Sequence, residues 1–323
     1  MENLISVKGL HKHFGSLVAV DGIDLEVLRG EVLGFLGPNG AGKSTTMKMI
    51  TGYLAPTSGS ISVCGHDVAS HPIAAKTCLG YLPEGAPAYG EMTPASFLNF
   101  VADIRGLTGR TKTDAIGKAV EQINLEGVMR QPIETLSKGF KRRVGLAQAI
   151  LHDPEVLILD EPTDGLDPNQ KHEVRSLITE MAAQKAIVIS THILEEVDAV
   201  CSRAVVISKG RLLFSGTPGE FAGHSRYHNA VTLSVASDIG ASVERTLDAL
   251  SDVSSIESAA LDSDVTRVTA IPKDNQSIVG AIHNCIRQHE WKVDELFVEP
   301  GRLDEVFRTL TTTAENTGEE TRS

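Results

Sequence analysis

The run Gly37-Pro38-Asn39-Gly40-Ala41-Gly42-Lys43-Ser44-Thr45 constrains this chain more than any other segment. Its spacing is G-x-x-x-x-G-K-[ST], the pattern of a phosphate-binding loop. An apolar run, Val32-Leu33-Gly34-Phe35-Leu36, precedes it and reads as a buried strand; Thr45 to Ile50 follows and reads as a helix. Strand, loop and helix together are the context in which the pattern carries meaning. Glycines let the backbone close around an anion where side chains would block it. The N–H groups of the first helical turn point at that anion, and the helix dipole favours its charge. Lys43 is expected to reach the β- and γ-phosphates, and the Ser44 hydroxyl to face Mg²⁺. A glycine-rich turn with a surface lysine would need neither the strand before it nor the helix after it. The segment, with Thr46 just beyond it, reads as a nucleoside-triphosphate site.

At 323 residues the chain has room for two domains, and 41% hydrophobic residues suffice for two cores. Thirty basic residues against 42 acidic give a net charge of −12. A duplex-binding protein needs a basic footprint, so no nucleic-acid partner is expected. Cys64, Cys78, Cys201 and Cys285 show neither C-x-x-C nor metal-ligand spacing and read as free thiols of a cytosolic protein. No apolar run reaches the roughly 18 residues of a membrane span, and no signal peptide is expected. A membrane role would therefore come through a partner.

Residues 4–8, 16–20 and 23–29 alternate apolar and polar and predict an antiparallel layer, with Leu10 to Gly15 as a loop carrying Phe14. Short strands are expected at 61–64 and 79–82. The pattern turns helical over about 85–152, where Phe97, Phe100, Val101 and Ile104 share one helix face. Strands at 156–159, 186–190, 204–208 and 211–214, alternating with helices at 168–184 and 193–201, predict a parallel α/β sheet covered on both faces. A polar linker is expected at 223–229. Beyond it, the order β-α-β-β-α-β plus a final helix predicts a ferredoxin-like α+β domain over 230–312. Residues 313–323 are polar and read as a disordered tail.

Val156-Leu157-Ile158-Leu159-Asp160-Glu161 is an apolar strand ending in two carboxylates. Asp160 is suited to hold Mg²⁺ through water, and Glu161 to orient or deprotonate an attacking water. Leu136-Ser137-Lys138-Gly139-Phe140 opens a helix, and Ser137 reads locally as its N-cap. Asp164-Gly165-Leu166-Asp167 follow the carboxylate pair, and Ser190-Thr191-His192 ends a later strand. With phosphate loop, signature loop, Asp-Glu strand, Asp-rich loop and terminal histidine in this order, residues 2–221 resemble the ATP-binding-cassette ATPases. The fold implied is the P-loop NTPase cassette over 1–222: a parallel core sheet, an antiparallel β layer and a helical subdomain.

The resemblance implies a role for each matching residue. Phe14 would stack on adenine, with a core phenylalanine as the competing reading. Gly37 to Thr46 would hold the phosphates of ATP. Ser44, Asp160 and Glu84 would lie on the Mg²⁺ side; Glu161 would be the catalytic glutamate and His192 a hydrogen-bond partner of the γ-phosphate. Ser137 and Gly139 would close on the nucleotide of an opposing copy, and Asp164 and Asp167 would carry contacts across that dimer. Two motifs depart from the family pattern. Lys138 and Phe140 stand where L-S-G-G-Q has Gly and Gln, and Glu84 stands where the residue after the 79–83 strand is usually Gln. These changes, with Gly80-Tyr81-Leu82-Pro83-Glu84 and the Arg302-Leu303-Asp304-Glu305-Val306-Phe307 run, resemble the ABC-2 export group. The resemblance implies a head-to-tail, ATP-dependent homodimer held at the inner face of the cell membrane by an integral membrane permease. Residues 85–105 would receive a permease helix, with 85–94 as a hinge. A soluble cassette ATPase and a nucleotide-sensing module are the competing readings. A single phosphate loop and the absence of a heptad run weigh against the soluble one.

Overall fold

The computed structural model of this chain describes residues 2–85, 88–262 and 264–320, with the backbone alone for 313–320. It divides into two compact units, one ending at Gly216 and the other beginning at Thr217.

The first unit runs β1 (Asn3–Phe14), β2 (Leu17–Leu28), β3 (Val32–Leu36), α1 (Lys43–Ile50), β4 (Ser58–Val63), β5 (His66–Asp67), α2 (Pro72–Thr77) and β6 (Leu79–Leu82). It continues through α3 (Pro94–Ile104), α4 (Gly109–Gln122), α5 (Lys138–Ile150), β7 (Val156–Asp160) and α6 (Pro168–Ala182). It closes with β8 (Ala186–Thr191), α7 (Leu194–Val200), β9 (Arg203–Ser208) and β10 (Arg211–Gly216). One sheet has the order β2-β1-β4-β5 and is antiparallel. The other has the order β10-β9-β3-β8-β7-β6, parallel except for β10.

Strands β3, β7 and β8 are buried along their whole length, which is why they read as unbroken apolar runs rather than alternating ones. The core joins both sheets: Leu4, Ile5 and Val27 of the antiparallel layer pack with Phe35, Met47 and Ile158. Because β3, β7 and β8 run parallel and in register, their carboxyl ends lie side by side. Leu36 pairs with Thr191, and Asp160 with Ser190. Loops leaving these strands are brought to one edge of the sheet, where open α/β folds bind ligands.

The segment Leu10 to Phe14, expected as a loop, continues β1 and pairs with β2 as far as Phe14 opposite Leu17. The register shifts between Val7 and Leu10 and again between Leu10 and His11, with Gly9 at φ 51°. These bulges break the period-2 pattern on which sequence alternation depends. The separate strands expected at 16–20 and 23–29 are one strand, interrupted in pattern at Gly22. On α3 the buried residues are Pro94, Phe97, Leu98 and Ala102, while Phe100 and Ile104 of the expected apolar face are exposed.

The second unit runs α8 (Pro218–Ala222), β11 (Val231–Ala236), α9 (Ser237–Asp248), β12 (Val253–Ala260), β13 (Val265–Pro272), α10 (Val279–Gln288), β14 (Val293–Val298) and α11 (Leu303–Glu320). Its sheet order, β12-β13-β11-β14, is antiparallel throughout, the ferredoxin-like arrangement. Val231, Leu233 and Val235 pack against Val243 and Leu247 of α9 and Ile282 of α10.

Segment 223–229, expected as a solvated linker, is packed within this unit. Tyr227 is buried beneath the Arg302 guanidinium, which lies 3.5 Å from the ring centre. Asn275 Nδ2 donates to the Gly223 carbonyl at 2.8 Å. Polar residues here make specific internal bonds, a use that composition does not reveal. Helix α11 extends to Glu320, through most of the expected tail; residues 321–323 lie outside the described residues.

Candidate functional site

Strand β3 delivers the phosphate loop to the edge of the sheet, and α1 starts at Lys43. Gly42 has φ 108°, a conformation that side chains resist, and a Cβ there would meet the Ala19 carbonyl at 2.5 Å. A Cβ on Gly37 would sit 2.4 Å from the Ile207 carbonyl. The Gly210 N–H donates to the Ala41 carbonyl at 2.9 Å and braces the loop from β10's side. Pro38, Asn39 and Gly40 are exposed, while Ser44 and Thr45 are half-buried. Thr46 is buried and donates to the Gly42 carbonyl at 2.9 Å, closing the first turn of α1.

Lys43 is buried inside this loop. Its ammonium donates to the Gly37 carbonyl at 2.6 Å and the Pro38 carbonyl at 3.1 Å. Burial lowers the pKa of this amine, and the charges of Glu161, Asp160 and Glu84 oppose that shift. One cation thus faces three carboxylates, two at the end of β7 and one in the turn after β6. Glu84 itself is exposed, in the turn that follows β6 and Pro83.

Asp160 ends β7 fully buried. Ser190 Oγ donates to its Oδ1, while Oδ2 has no hydrogen-bond partner. Buried carboxylate oxygens are seldom left unpaired, so this one marks a place for a ligand. A hard divalent cation takes oxygen ligands, and Asp160 with the Ser44 hydroxyl supplies such a set. These residues fit Mg²⁺. Tyr81 of β6 also has a buried hydroxyl without a partner; burial, then the Asp160 charge, pushes this phenol up to about 12.

Glu161 stands just past the strand at φ 52°, a left-handed conformation uncommon for glutamate. Its N–H donates to Ser190 Oγ at 3.0 Å, so one serine fixes both members of the carboxylate pair. Strained backbone held by its surroundings in this way is concentrated at functional sites. Glu161 Oε1 lies 3.0 Å from His192 Nδ1. His192 follows β8, and the parallel pairing of β7 with β8 is what sets the two side by side.

Three residues that sequence reasoning did not single out organise this cluster. Arg142 of α5 is buried and donates to the carbonyls of Asp160 and Glu161 and, at 3.2 Å, of Pro83. Gln148, further along α5, donates to the Tyr81 carbonyl at 2.6 Å. Glu196 of α7 is 2% exposed and accepts from Thr163 Oγ1 and from Thr191 Oγ1, the latter at 2.7 Å. It thereby ties the turn after Glu161 to the residue before His192, with Lys171 and Arg175 as flanking cations at 3.9 and 3.8 Å. No local motif signals these side chains; each acts on a backbone or hydroxyl distant in sequence.

Other expected residues lie apart from this cluster. Phe14 is 46% exposed at the end of β1, which removes the core reading, and the Lys12 ammonium lies 5.0 Å from its ring centre. Ser137 caps α5, accepting from the Phe140 N–H at 3.3 Å, and is exposed. Gly139 packs so close to α6 that a Cβ would stand 2.5 Å from Gln170 Oε1. The Asp164 N–H donates to the Glu161 carbonyl at 3.1 Å, and Asp167 caps α6 by accepting from the Gln170 N–H at 2.9 Å. Among the described residues, no hydrogen bond joins Ser137 or Gly139 to the phosphate loop. Of the expected hinge at 85–94, residues 86 and 87 lie outside the described residues.

Comparison with known proteins agrees with this arrangement. The family described as "ABC transporter" matches residues 20–164. The Nod factor export ATP-binding protein I of Ralstonia nicotianae is 30% identical over 312 residues, 95% of this chain and 94% of its own length. The probable multidrug ABC transporter ATP-binding protein YbhF of Escherichia coli is 38% identical over 225 residues, 69% of this chain; the match spans only 39% of YbhF. A solved ATP-binding subunit of an ABC transporter superposes with a TM-score of 0.63 at 32% identity, covering 68% of this chain and 91% of that one. By loop, carboxylate pair and overall likeness, the chain belongs to the ABC transporter family of ATP-binding, ATP-hydrolysing cassettes.

Proposed function

We propose that this chain is the ATP-hydrolysing subunit of a membrane exporter and works as a head-to-tail homodimer bridged by ATP. The observation that carries the reading is the convergence of Lys43, Asp160 with its unpaired oxygen, and Glu161 beside His192. Lys43 would exchange the Gly37 and Pro38 carbonyls for the β- and γ-phosphates. Glu161 would accept the proton of the attacking water, and its left-handed backbone aims the carboxylate from the strand end. His192 would orient that carboxylate and then the γ-phosphate. Mg²⁺ held by Ser44 and Asp160, with Glu84 at its margin, would neutralise charge on the phosphate oxygens. Exposure of Phe14 suits stacking on adenine.

An exposed Ser137, capping a helix N-terminus, suits contact with the nucleotide of a second copy. The γ-phosphate then favours the closed pair, and its loss on hydrolysis releases it. Tyr89 and Phe100 pack edge to face 5.8 Å apart, and with Ile104 they leave apolar surface exposed on the helical subdomain. That surface suits a helix of an integral membrane permease, which would hold the chain at the inner face of the cell membrane. Export as the direction is supported by the names of the relatives.

Lys43→Ala tests the site. Removing a preorganised cation that faces developing phosphate charge should lower steady-state ATPase activity by about 10²-fold or more. Undiminished hydrolysis by the purified, folded variant would reject the reading.

A further inference from the structure

We propose that Cys64, Cys78 and Glu155 form a binding site for a thiophilic divalent cation, with zinc as the reference ion. One ligand atom from each lies within 4.8 Å of the others. Tetrahedral zinc with bonds of about 2.3 Å to sulfur has ligand edges of about 3.8 Å, so closing around the ion needs only small side-chain movement. The three positions are far apart in sequence, which is why their spacing announces no metal motif. The fold assembles them. Cys64 follows β4 at φ 49°, with its N–H donating to the Leu4 carbonyl at 2.8 Å. Cys78 ends α2, and its carbonyl accepts from the Val156 N–H at 3.0 Å. Glu155 immediately precedes β7. The backbone around both thiols is therefore fixed before any ion arrives.

Charge supports the assignment. Two thiolates and a carboxylate sum to −3; an ion supplies +2, and the Arg29 guanidinium, which donates to Glu155 Oε2, offsets part of the rest. Arg29 also donates to Glu2 Oε2 at 2.9 Å and to the Gln184 carbonyl at 2.8 Å. It therefore fixes the carboxylate as an outer-shell partner and engages one of its two oxygens. Both cysteines are half-buried and the Glu155 side chain is 46% exposed, so an ion has a route in and a water can complete its shell. Oxidation of the same pair to a disulfide is the competing chemistry.

The site lies at the amino end of β7, and Asp160 at its carboxyl end. Bound zinc would join β4 of the antiparallel sheet to the strands of the parallel sheet. It should therefore raise thermal stability while leaving ATP affinity unchanged.

The test is zinc titration of the full chain, reduced and stripped of metal, against a chromogenic chelator. One zinc per chain is expected, with affinity reduced at least tenfold in Cys64→Ser and in Cys78→Ser and less in Glu155→Gln. Should a variant fail to fold, the wild-type chain still decides: zinc, unlike Mg²⁺, should protect Cys64 and Cys78, and neither Cys201 nor Cys285, from alkylation read by peptide mass spectrometry. Absent binding, binding unaltered by both cysteine changes, or a Cys64–Cys78 disulfide forming in air in place of zinc binding would each overturn the proposal.

Discussion

At the scale of single residues, the site is a set of polar atoms whose positions are enforced by partners outside it. Ser190 illustrates this: one hydroxyl donates to Asp160 and accepts from the Glu161 N–H. Glu196 does the same for the flanking turns through Thr163 and Thr191. Replacing Glu196 by Ala leaves the buried Thr163 hydroxyl unpaired, takes from the Thr191 hydroxyl its acceptor while the Ile193 N–H still donates to it, and removes the anion facing Lys171 and Arg175. Breaking a buried charged network in this way costs about 3 kcal/mol. Urea denaturation should show that loss, and turnover should fall more than ATP affinity because Glu161 and His192 lose their shared support. A variant with native stability and turnover would show that the glutamate is dispensable. The phosphate loop and the carboxylate pair were legible in the sequence because they are contiguous motifs. Ser190, Arg142 and Glu196 were not, because their partners are set by strand order and helix facing rather than by neighbours in the chain.

At the scale of elements, α5 connects several parts of the site. Its N-terminus carries the signature, its middle holds the Pro83, Asp160 and Glu161 carbonyls through Arg142, and its end holds Tyr81 through Gln148. Just past it, His152 Nε2 lies 3.1 Å from the Leu79 carbonyl. Burial, reinforced by the Arg105 charge, pushes this imidazole down to about 4. The unfolded chain therefore binds a proton between pH 6.5 and 4 that the folded chain does not, and stability falls as pH falls through that window. With allowance for partial exposure the loss is about 1–2 kcal/mol. Denaturant midpoints of wild type and His152→Gln should converge as pH drops from 7 to 4.5. A parallel decline in both would remove His152 as a cause. Parallel strands β3, β7 and β8 were readable as buried apolar runs. The continuation of β1 over Leu10 to Phe14 was not, because two register shifts near Gly9 erase the alternation that marks a half-buried strand.

At the scale of the whole molecule, every motif of the nucleotide site lies before Gly216, and the ferredoxin-like unit starts at Thr217. The boundary expected across 223–229 lies a few residues earlier, because Ser225 and Asn229 look like linker residues and act as internal hydrogen-bond partners of Glu305 and Asn275. A chain ending at Gly216 should stay folded and show a melting temperature raised by ATP and Mg²⁺, as binding to the folded state alone requires. A chain cut at 229 instead would keep Phe221 and Tyr227 without the elements that bury them and should be the less soluble of the two. Loss of the ATP response in the shorter chain would mean that the second unit completes the nucleotide site. In the proposed cycle ATP joins two copies and Glu161 ends that state. Light scattering of Glu161→Gln during size exclusion, with saturating ATP and Mg²⁺, tests it most directly. The amide keeps the shape of the carboxylate and loses its basicity, so the account predicts a persistent species of twice the chain mass that ADP does not support. A variant that hydrolyses ATP at the wild-type rate and elutes as a monomer would contradict it.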